Sequence, residues 1–471
     1  MKEYNQKKWR FEMFDLVIKN GFVFYGGNLV QTDLAIEGER IAAIGNSLQG
    51  KKEIDATDKW VLPGAIDCHT HFSLPFYDAV SRDDFYTGSI AGAAGGVTSF
   101  IDFPAQENGE GIISSLNRRM EEAKPAAIDY SLHACIAKLT DQVLKEIPML
   151  PERGIRSFKI FTAYNKIGRM QNDECLTKIM EACKKNNILV TVHAENGFLI
   201  DYLTEEATKR NDVGIKALST TRPVFSESEA ITRVCGFAKY TGCKTHIVHV
   251  SSGEGAEAVR MAKIEGAPVS AETCPQYLYL DNSAFEKPNG HYWGCCPPIR
   301  EKSQQENIWD CLKTNDIAMV ATDHCPFNKA DKDTWKGSIN TLPMGIPGIE
   351  TMPELILNAV HTGRLSLETA VKSITENPAR IFGLFPIKGI LVPGADADIM
   401  IYNPFVKNVI HQKDLHMNND YSVYEGLEIQ GKNETTILRG KVIFDVQKGW
   451  LGEKGAGQFL KRNIPDEEFF I

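Results

Sequence analysis

The feature that most restricts the fold of this chain is a regular alternation of short apolar runs with helix-like segments in its middle part. Eight β-rich runs read PGAIDCH, VTSFIDFP, DYSLHACI, IRSFKIF, ILVTVHAE, THIVHV, APVSAET and IAMVATDH. Segments with helical spacing separate them, and two of these, ESEAITRVCGFAKYTG and GAEAVRMAKIEG, end at a glycine. Eight such units predict a (β/α)8 barrel over residues 63–387, although a doubly wound sheet also fits the alternation.

The two ends of the chain have a different pattern. Near the amino terminus, FDLVIKNGFVFYGGNLVQTDLAIEGERIAAIG contains alternating apolar runs broken by turn signals, and ADADIMIYNP and TTILRGKVIFDV repeat that pattern late in the chain. We therefore predict a small β-sandwich domain built from residues 12–62 and 388–446. Residues 1–11 remain as an N-terminal tail, and residues 447–471 as a C-terminal arm or interface segment.

Composition excludes several classes of partner. The 471 residues carry a net charge of -9 from 52 basic and 61 acidic side chains, and they contain no long basic run, so neither nucleic acid nor an anionic membrane is expected to bind. No stretch approaches the roughly 20 apolar residues of a membrane span. The eleven cysteines form no CxxC pair, which favours reduced thiols in a cytoplasmic protein that acts on a small molecule.

Polar side chains stand where several of the apolar runs end. They are His69 and His71 in the first run, Lys159 in the fourth, His193 in the fifth, His249 in the sixth and Asp323 in the eighth. In a barrel the carboxyl ends of the strands share one face, so these residues are predicted to meet. His69 and His71 are two apart and face the same way on an extended segment, which favours a shared metal ion, zinc or a related divalent cation.

Lys159 lies among Phe158, Ile160 and Phe161, and burial there would lower the pKa of its amine. The neutral amine could then react with carbon dioxide to form a carbamate, N6-carboxylysine, which could bridge two cations. Each residue taken alone also has a structural explanation: a buried histidine can be hydrogen-bonded in the core, a lysine can extend to solvent and Asp323 can cap a helix. The complete set favours a metal centre.

Longer motifs make the chain resemble the dihydropyrimidinase and hydantoinase branch of the cyclic amidohydrolases, within the amidohydrolase superfamily. They include PGAIDCHTHFSLPF, SFKIFTAYN, VHAENG, VHVSSGEG, AETCPQYLYLD, CCPPIR and ATDHCPF, and the resemblance extends over nearly the whole chain. It implies a metal-dependent barrel flanked by a β-sandwich, commonly assembled as a homotetramer.

The resemblance also implies a ligand set. Two divalent metal ions would bind, zinc or alternatively manganese. His69 and His71 would hold the more buried ion, and His193 and His249 the more exposed one. Carbamylated Lys159 would bridge the two ions, and Asp323 would complete the first site. Because all six positions are filled, the resemblance to non-catalytic scaffold relatives that lack much of the set is the weaker alternative.

The mechanism implied by the resemblance is hydrolysis of a cyclic amide. Two cations would lower the pKa of a bridging water, and the resulting hydroxide would attack the ring carbonyl. The hydroxyl of Tyr164, which could otherwise be a packed loop aromatic, would stabilise the negative charge on the carbonyl oxygen. Asp323 would carry the water proton to the leaving nitrogen, and the product would be an N-carbamoyl amino acid.

Three positions bear on the choice of ring. Ser73 stands where dihydroorotases of the superfamily usually carry arginine and allantoinases asparagine, which favours dihydropyrimidines or 5-substituted hydantoins over an anionic ring. Cys296 and Met344, however, replace the serine and asparagine that dihydropyrimidinases typically use to hold the ring through backbone groups. An allantoinase or dihydroorotase type of cyclic amidohydrolase therefore stays open as the alternative.

Apolar residues directly after the HxH pair could form a wall for the ring substituent. They are Leu74, Phe76 and Tyr77, and the same residues could equally belong to the core. The sequence leaves open hydantoin versus dihydrouracil, the preference for one enantiomer, the identity of the metal and the oligomeric state.

Overall fold

The computed structural model describes residues 13–76, 78–107 and 109–464. The predicted N-terminal tail, the predicted wall residue Tyr77 and the last seven residues of the predicted arm lie outside the described residues.

Strands account for the regular structure at both ends and in the middle of the chain. In chain order they are β1 (Phe14–Tyr25), β2 (Asn28–Glu37), β3 (Arg40–Gly45), β4 (Gly50–Asp55), β5 (Trp60–Pro63), β6 (Ala65–Thr70), β7 (Pro75–Phe76), β8 (Ala79–Val80), β9 (Val97–Asp102), β10 (Asp129–Leu132), β11 (Ala134–Cys135), β12 (Ser157–Phe161), β13 (Leu189–His193), β14 (Thr245–Ile247), β15 (Val269–Thr273), β16 (Met319–Val320), β17 (Ile399–Val409), β18 (Glu428–Leu438), β19 (Lys441–Asp445) and β20 (Gly449–Trp450).

Both ends of the chain contribute to one nine-stranded sheet. Its order is β20-β19-β18-β17-β5-β1-β2-β3, with β4 paired to β1. The amino-terminal and carboxyl-terminal halves meet where β5 pairs antiparallel with β17, for example Leu62 with Met400. Strand β20 lies beyond residue 446, so the sheet extends into the segment predicted as an arm. The chain therefore returns to its first strands after about 330 residues that form something else.

The middle of the chain forms two parallel sheets. Their orders are β10-β9-β6 and β11-β12-β13-β14-β15-β16, and all of their pairs are parallel. Each of the eight predicted runs overlaps one of these strands. Only His133 separates β10 from β11, and at the other end the N–H of His71 donates to the carbonyl oxygen of His324 at 2.9 Å. The carboxyl ends of the strands therefore share one side of the molecule.

Helices follow most of the parallel strands. They are α1 (Phe85–Gly95), α2 (Ile112–Glu122), α3 (Asp141–Glu146), α4 (Asp173–Lys185), α5 (Gly197–Lys209), α6 (Ala217–Thr221), α7 (Val224–Thr241), α8 (Gly253–Ile264), α9 (Pro275–Tyr279), α10 (Gln305–Lys313), α11 (Lys329–Lys332), α12 (Met352–His361), α13 (Leu367–Ile374) and α14 (Glu376–Phe382). None of those helices is long and apolar enough to cross a lipid bilayer.

Local sequence explains where several helices begin and end. Asp84 accepts hydrogen bonds from the N–H groups of Tyr86 and Thr87 and so caps α1, and Gly96 ends that helix with a left-handed φ of 98°. Asn196 caps α5 in the same way. Because these caps come directly before helices that follow a strand, they set the length of the loops that surround the carboxyl ends of the strands.

Part of the predicted arm packs against its own chain. Residues 455–464 lie along β10, where the N–H of Tyr130 donates to the carbonyl of Gln458 at 2.9 Å. The buried guanidinium of Arg462 donates to the hydroxyls of Ser131 and Ser157 at 2.9 and 2.8 Å. The segment therefore completes the hydrogen bonding of buried hydroxyls between β10 and β12.

Candidate metal centre

The six predicted ligand residues line one cavity of about 960 Å³. His69 lies in β6, Lys159 in β12 and His193 at the end of β13, whereas His71, His249 and Asp323 follow strands β6, β14 and β16. The same cavity is lined by the predicted substrate-contact residues Tyr164, Cys296, Met344, Leu74 and Phe76. Residues up to 254 positions apart in sequence thus meet because parallel strands end on a common side.

The inner group consists of His69, His71 and Asp323. Oδ1 of Asp323 lies 3.2 Å from Nε2 of His69 and 3.0 Å from Nε2 of His71. One ligand atom from each of the three residues lies within 4.8 Å of the others. The contact between Asp323 and Nε2 of His69 is not a hydrogen bond, and this buried nitrogen has no hydrogen-bond partner among the described residues. A histidine in an ordinary core position would have one. This arrangement fits a divalent cation.

The outer pair consists of His193 and His249. Nδ1 of His193 lies 3.0 Å from Nε2 of His249, so two ring nitrogens face each other at the cavity wall. Burial lowers the pKa of both imidazoles and favours the neutral form that metals bind. Nε2 of His193 contacts Oε2 of Glu195 at 2.7 Å, so Nδ1 is the ring nitrogen that points toward His249. This pair also fits a cation.

Lys159 lies between the two groups of histidines. Its Nζ lies 4.9 Å from the ring centroid of Phe103 and 5.5 Å from that of Phe161. Burial lowers the pKa of this amine to about 8, although the carboxylates of Asp323 and Glu272 oppose the shift. A buried amine in an apolar setting beside two sets of nitrogen ligands has the environment that carbamate formation requires.

Glu272 is an important residue that sequence reasoning missed. Its buried carboxylate lies 2.5 Å from Nδ1 of His69, accepts from the N–H of His249 at 3.3 Å and contacts Nε2 of His246 at 3.1 Å. It thus orients one histidine of the inner group and the backbone of one histidine of the outer pair. The available signal was a glutamate inside the apolar run APVSAET.

A second missed pair supports the outer histidines. Arg222 donates to Oε2 of Glu195 in a short ion pair, and Glu195 in turn holds His193. Burial alone would raise the pKa of Glu195, but Arg222 and His193 lower it to about 2. The carboxylate therefore stays ionised and keeps His193 in one orientation. No local pattern indicates this pair, since Arg222 lies in the loop between two helices.

Tyr164 lies beside the outer histidine His193. Its ring centroid is 4.9 Å from that of His193, and the guanidinium carbon of Arg222 is 5.3 Å from the tyrosine ring. Burial raises the pKa of the phenol well above its usual range, so the hydroxyl remains a hydrogen-bond donor. The residue has a left-handed φ of 66°, as have Asp323 and His249 at 54° and 41°. Such conformations are costly for residues other than glycine and concentrate at functional sites.

The remaining predicted contacts form the walls of the cavity. Leu74 and Phe76 line it and also pack against a small apolar cluster of Ala79, Cys325 and Phe327. The ring of Phe76 lies 6.3 Å from that of Phe327. Side chains that are fixed from behind in this way present a rigid apolar surface to a ligand.

Lys332 connects the two segments that carry Cys296 and Met344. Its buried Nζ donates to the carbonyls of Gly294 and Pro343 at 2.8 and 2.7 Å. The N–H of Gly345 donates to the same Gly294 carbonyl at 3.0 Å. Burial lowers the pKa of this amine to about 8. The lysine was not predicted from the sequence, because its acceptors are backbone groups that no motif marks.

Four of the histidines that were not assigned to the metal centre have other partners. Ring nitrogens contact Ser157 and the carbonyl of Cys68 for His133, Ser270 and Glu272 for His246, Asp333 for His291, and Asp83 and the N–H of Gly348 for His324. These contacts occupy both nitrogens of His133, His246 and His324.

Comparison with known proteins agrees with this geometry. Residues 60–443 match the model of the amidohydrolase family. The chain is 38% identical to the D-hydantoinase of Geobacillus stearothermophilus over 454 residues, which cover 95% of this chain and 96% of that protein. A D-hydantoinase structure from Bacillus sp. AR9 superimposes with a TM-score of 0.93 at 38% identity, covering 96% of this chain and 100% of that one.

A dihydropyrimidinase structure from Brevibacillus agri NCHU1002 also superimposes with a TM-score of 0.93, at 36% identity over 96% of this chain and 99% of that one. Each of these comparisons extends over nearly the full length of both proteins. The chain therefore belongs to the amidohydrolase family, in the branch of the D-hydantoinases and dihydropyrimidinases.

Proposed function

We propose that this protein hydrolyses the amide bond of dihydropyrimidines or 5-substituted hydantoins to give N-carbamoyl amino acids. The observation that carries the proposal is the meeting of His69, His71, Lys159, His193, His249 and Asp323 on one cavity. The similarity to a D-hydantoinase and to a dihydropyrimidinase supports the same class of substrate.

We infer that this ligand set binds two divalent cations, either zinc or manganese. His69, His71 and Asp323 would hold one ion and His193 and His249 the other, with Lys159 as N6-carboxylysine between them after reaction with carbon dioxide. Nitrogen and oxygen donors of this kind suit both metals. When bound, the cations supply Lewis acidity and make hydroxide available near neutral pH.

The side chains of the protein then direct the reaction. Water adds across the amide: its oxygen bonds to the carbonyl carbon, the carbon–nitrogen bond breaks and the ring opens. Asp323 accepts a proton from the attacking water and returns it to the leaving nitrogen. Tyr164 donates its hydroxyl to the carbonyl oxygen as negative charge develops there, since its raised pKa keeps the proton in place.

The walls of the cavity favour an uncharged ring with an extended substituent. Ser73 offers no cation beside the HxH pair, and Leu74 and Phe76 present apolar surface. Allantoin or dihydroorotate is the second candidate class, because Met344 stands in a loop that resembles the allantoinase and dihydroorotase side. Backbone groups near Cys296 and Met344 would hold the ring in either case.

We also propose the wider organisation of the molecule. The hydrogen bond between His71 and His324 and the adjacency of β10 and β11 support closure of the parallel strands into a (β/α)8 barrel over residues 63–387. A shared apolar cluster containing Leu34, Ile399 and Ile437 supports a β-sandwich from residues 12–62 and 388–446. Assembly as a homotetramer in the cytoplasm, without nucleic acid or membrane partners, completes the proposal.

The first test is ring opening by the metal-loaded protein in the presence of bicarbonate. The substrates are 5,6-dihydrouracil, hydantoin, 5-phenylhydantoin, allantoin and dihydroorotate. Turnover of the first three, inhibited by a chelator and lost in Lys159→Ala together with about two metal ions per chain, is the expected result. Turnover of allantoin or dihydroorotate alone would establish the second class, and absence of both metal and turnover would establish a scaffold.

A further inference from the structure

The cavity extends well beyond the candidate metal centre. Its volume of about 960 Å³ is near the upper end of the roughly 300–1,000 Å³ that ligand pockets occupy. The outer wall is formed by the loop between β12 and α4 together with helix α5, which contribute Lys166, Ile167, Arg169 and Thr204. A ring held at the metal centre therefore leaves space in which its substituent meets these residues.

Two hydrogen bonds fix the backbone of Arg169. Its N–H donates to the carbonyl of Tyr164 at 3.1 Å, and its carbonyl accepts from Nε2 of Gln171 at 2.9 Å. The guanidinium carbon lies 5.9 Å from the ring centroid of Phe161, whose centroid is also 5.5 Å from Nζ of Lys159. One aromatic ring thus lies near both the inner lysine and the guanidinium of the wall.

Among the described residues, Arg169 differs from the other cations of the outer wall in lacking a partner of opposite charge. Lys166 pairs with Glu205 at 2.8 Å, Lys209 with Glu206 at 2.7 Å and Arg222 with Glu195, while Asp201 accepts from Asn165 at 3.2 Å. In the part of the chain that the structure describes, no carboxylate lies within ion-pair distance of Arg169. Its charge is therefore available to a ligand.

The side chain of Arg169 also lines the cavity. Cys135 lines it as well, as does Phe161, whose ring centroid is 5.9 Å from the guanidinium carbon. The positive charge of the guanidinium is therefore accessible from the cavity. Ser73 provides no cation beside the ring itself, so the positive charge is placed for the substituent.

We propose that Arg169 forms an anion subsite for a carboxylate at the end of the ring substituent, so that the preferred substrates are hydantoins or dihydropyrimidines with an acidic side chain. The inference rests on the proposed function and specifies its substrate class. The apolar surface of Leu74, Phe76 and Phe161 suits the methylene groups between the ring and the carboxylate. The guanidinium offers the planar, two-pronged donor geometry that matches a carboxylate.

The test compares two hydantoins of nearly equal shape. One carries a 2-carboxyethyl group at C5 and opens to N-carbamoylglutamate, and the other carries the neutral 2-carbamoylethyl group and opens to N-carbamoylglutamine. We expect kcat/KM of the native enzyme to be at least about tenfold higher for the acid, as a charge-assisted hydrogen bond allows. Higher ionic strength should reduce this preference.

Variants then assign the preference to the residue. Arg169→Gln should lose about tenfold or more in kcat/KM on the acid, mainly through KM, and stay within about twofold on 5-phenylhydantoin. Arg169→Lys should retain part of the preference. Lys166→Gln, which removes a neighbouring cation already paired with Glu205, is the matched control and should keep the preference.

Two contrary outcomes are distinguishable. If the two hydantoins are opened equally well, or if Arg169→Gln slows the acid and 5-phenylhydantoin equally, the anion subsite is refuted while the proposed hydrolysis stands. If the metal-loaded protein opens no hydantoin or dihydropyrimidine at all, the proposed function fails and the subsite fails with it.

Discussion

At the scale of single residues, the candidate site combines ligands with groups that keep them in position. Glu272 holds the inner histidine His69, and Glu195 holds the outer histidine His193. Each carboxylate contacts the ring nitrogen that does not face the candidate metal position. The tautomer of each imidazole is therefore set by a buried carboxylate, which leaves the other nitrogen as a metal ligand.

Replacing Tyr164 by phenylalanine removes the hydroxyl and keeps the ring that packs near His193. We expect kcat to fall by about 10²–10³-fold, the usual effect of removing one donor to a developing oxyanion. Steady-state kinetics on hydantoin and metal analysis measure the effect. Unchanged metal content serves as the control, and a kcat within about threefold of native would exclude this role.

Replacing Glu272 by glutamine should weaken metal binding, because the variant no longer presents an anion to Nδ1 of His69. We expect a loss of about 10–100-fold in metal affinity, measured by competition with a chelator. Glu350→Gln is the matched control, since Glu350 is also buried, contacts a histidine and lies outside the cavity lining. Equal affinities in the two variants would contradict the prediction.

At the scale of elements, the loops around the cavity are joined to one another by a few buried groups. Helix α11 is only four residues long, yet it brings Lys332 against the segments that contain Gly294 and Pro343. Because the ammonium donates to one carbonyl in each segment, it fixes the distance between those segments. The backbone on either side of a bound ring is thereby held at one spacing.

Replacing Lys332 by methionine keeps much of the buried volume and removes the donor. We expect kcat/KM to fall by about 10–100-fold through misplacement of the ring, with metal content unchanged. Lys329→Met, an exposed position on the same helix, is the control and should behave as the native enzyme. A native kcat/KM in Lys332→Met would show that the two segments keep their spacing without the lysine.

At the scale of the whole molecule, one buried lysine joins the sheet of the two chain ends to the parallel sheets. Nζ of Lys388 lies 2.6 Å from Asp129, at the start of β10, and 2.8 and 2.6 Å from Asp396 and Asp398, before β17. Burial alone would lower the pKa of Lys388, but the three carboxylates raise it. The carboxylates are close enough to hold a metal ion, yet the ammonium of Lys388 already lies within 2.8 Å of all three and offsets part of their charge.

Replacing Lys388 by methionine would leave three buried carboxylates without that charge. We expect the free energy of unfolding to fall by about 3–5 kcal/mol or more, as for other broken buried ion pairs, and the variant should show a clearly lower Tm. Lys51→Met, which breaks a surface pair with Asp15, should leave Tm unchanged. Equal Tm values for the two variants would exclude the proposed anchoring role.

Much of the architecture could be predicted from the sequence because its signals are local. The eight apolar runs overlap the nine parallel strands, with β10 and β11 both in the third run, and the polar residues in or just after these runs include every candidate ligand found at the cavity. Apolar periodicity and the residue that ends a run are properties of neighbouring residues, so a single chain displays them directly. The two β-rich ends were visible for the same reason, although the pairing of β5 with β17 was an inference.

By itself the sequence determined the strand positions and the types of ligand, since both are encoded within a few residues. Only the tertiary structure decided which nitrogens face each other, and that Glu272, Arg222 and Lys332 support the site. It also decided that Arg169 lines the cavity with no carboxylate within ion-pair distance among the residues described. These contacts join residues that are remote along the chain, and several use backbone acceptors that carry no sequence signal. Their positions depend on how parallel strands and loops pack in three dimensions, which no local pattern specifies.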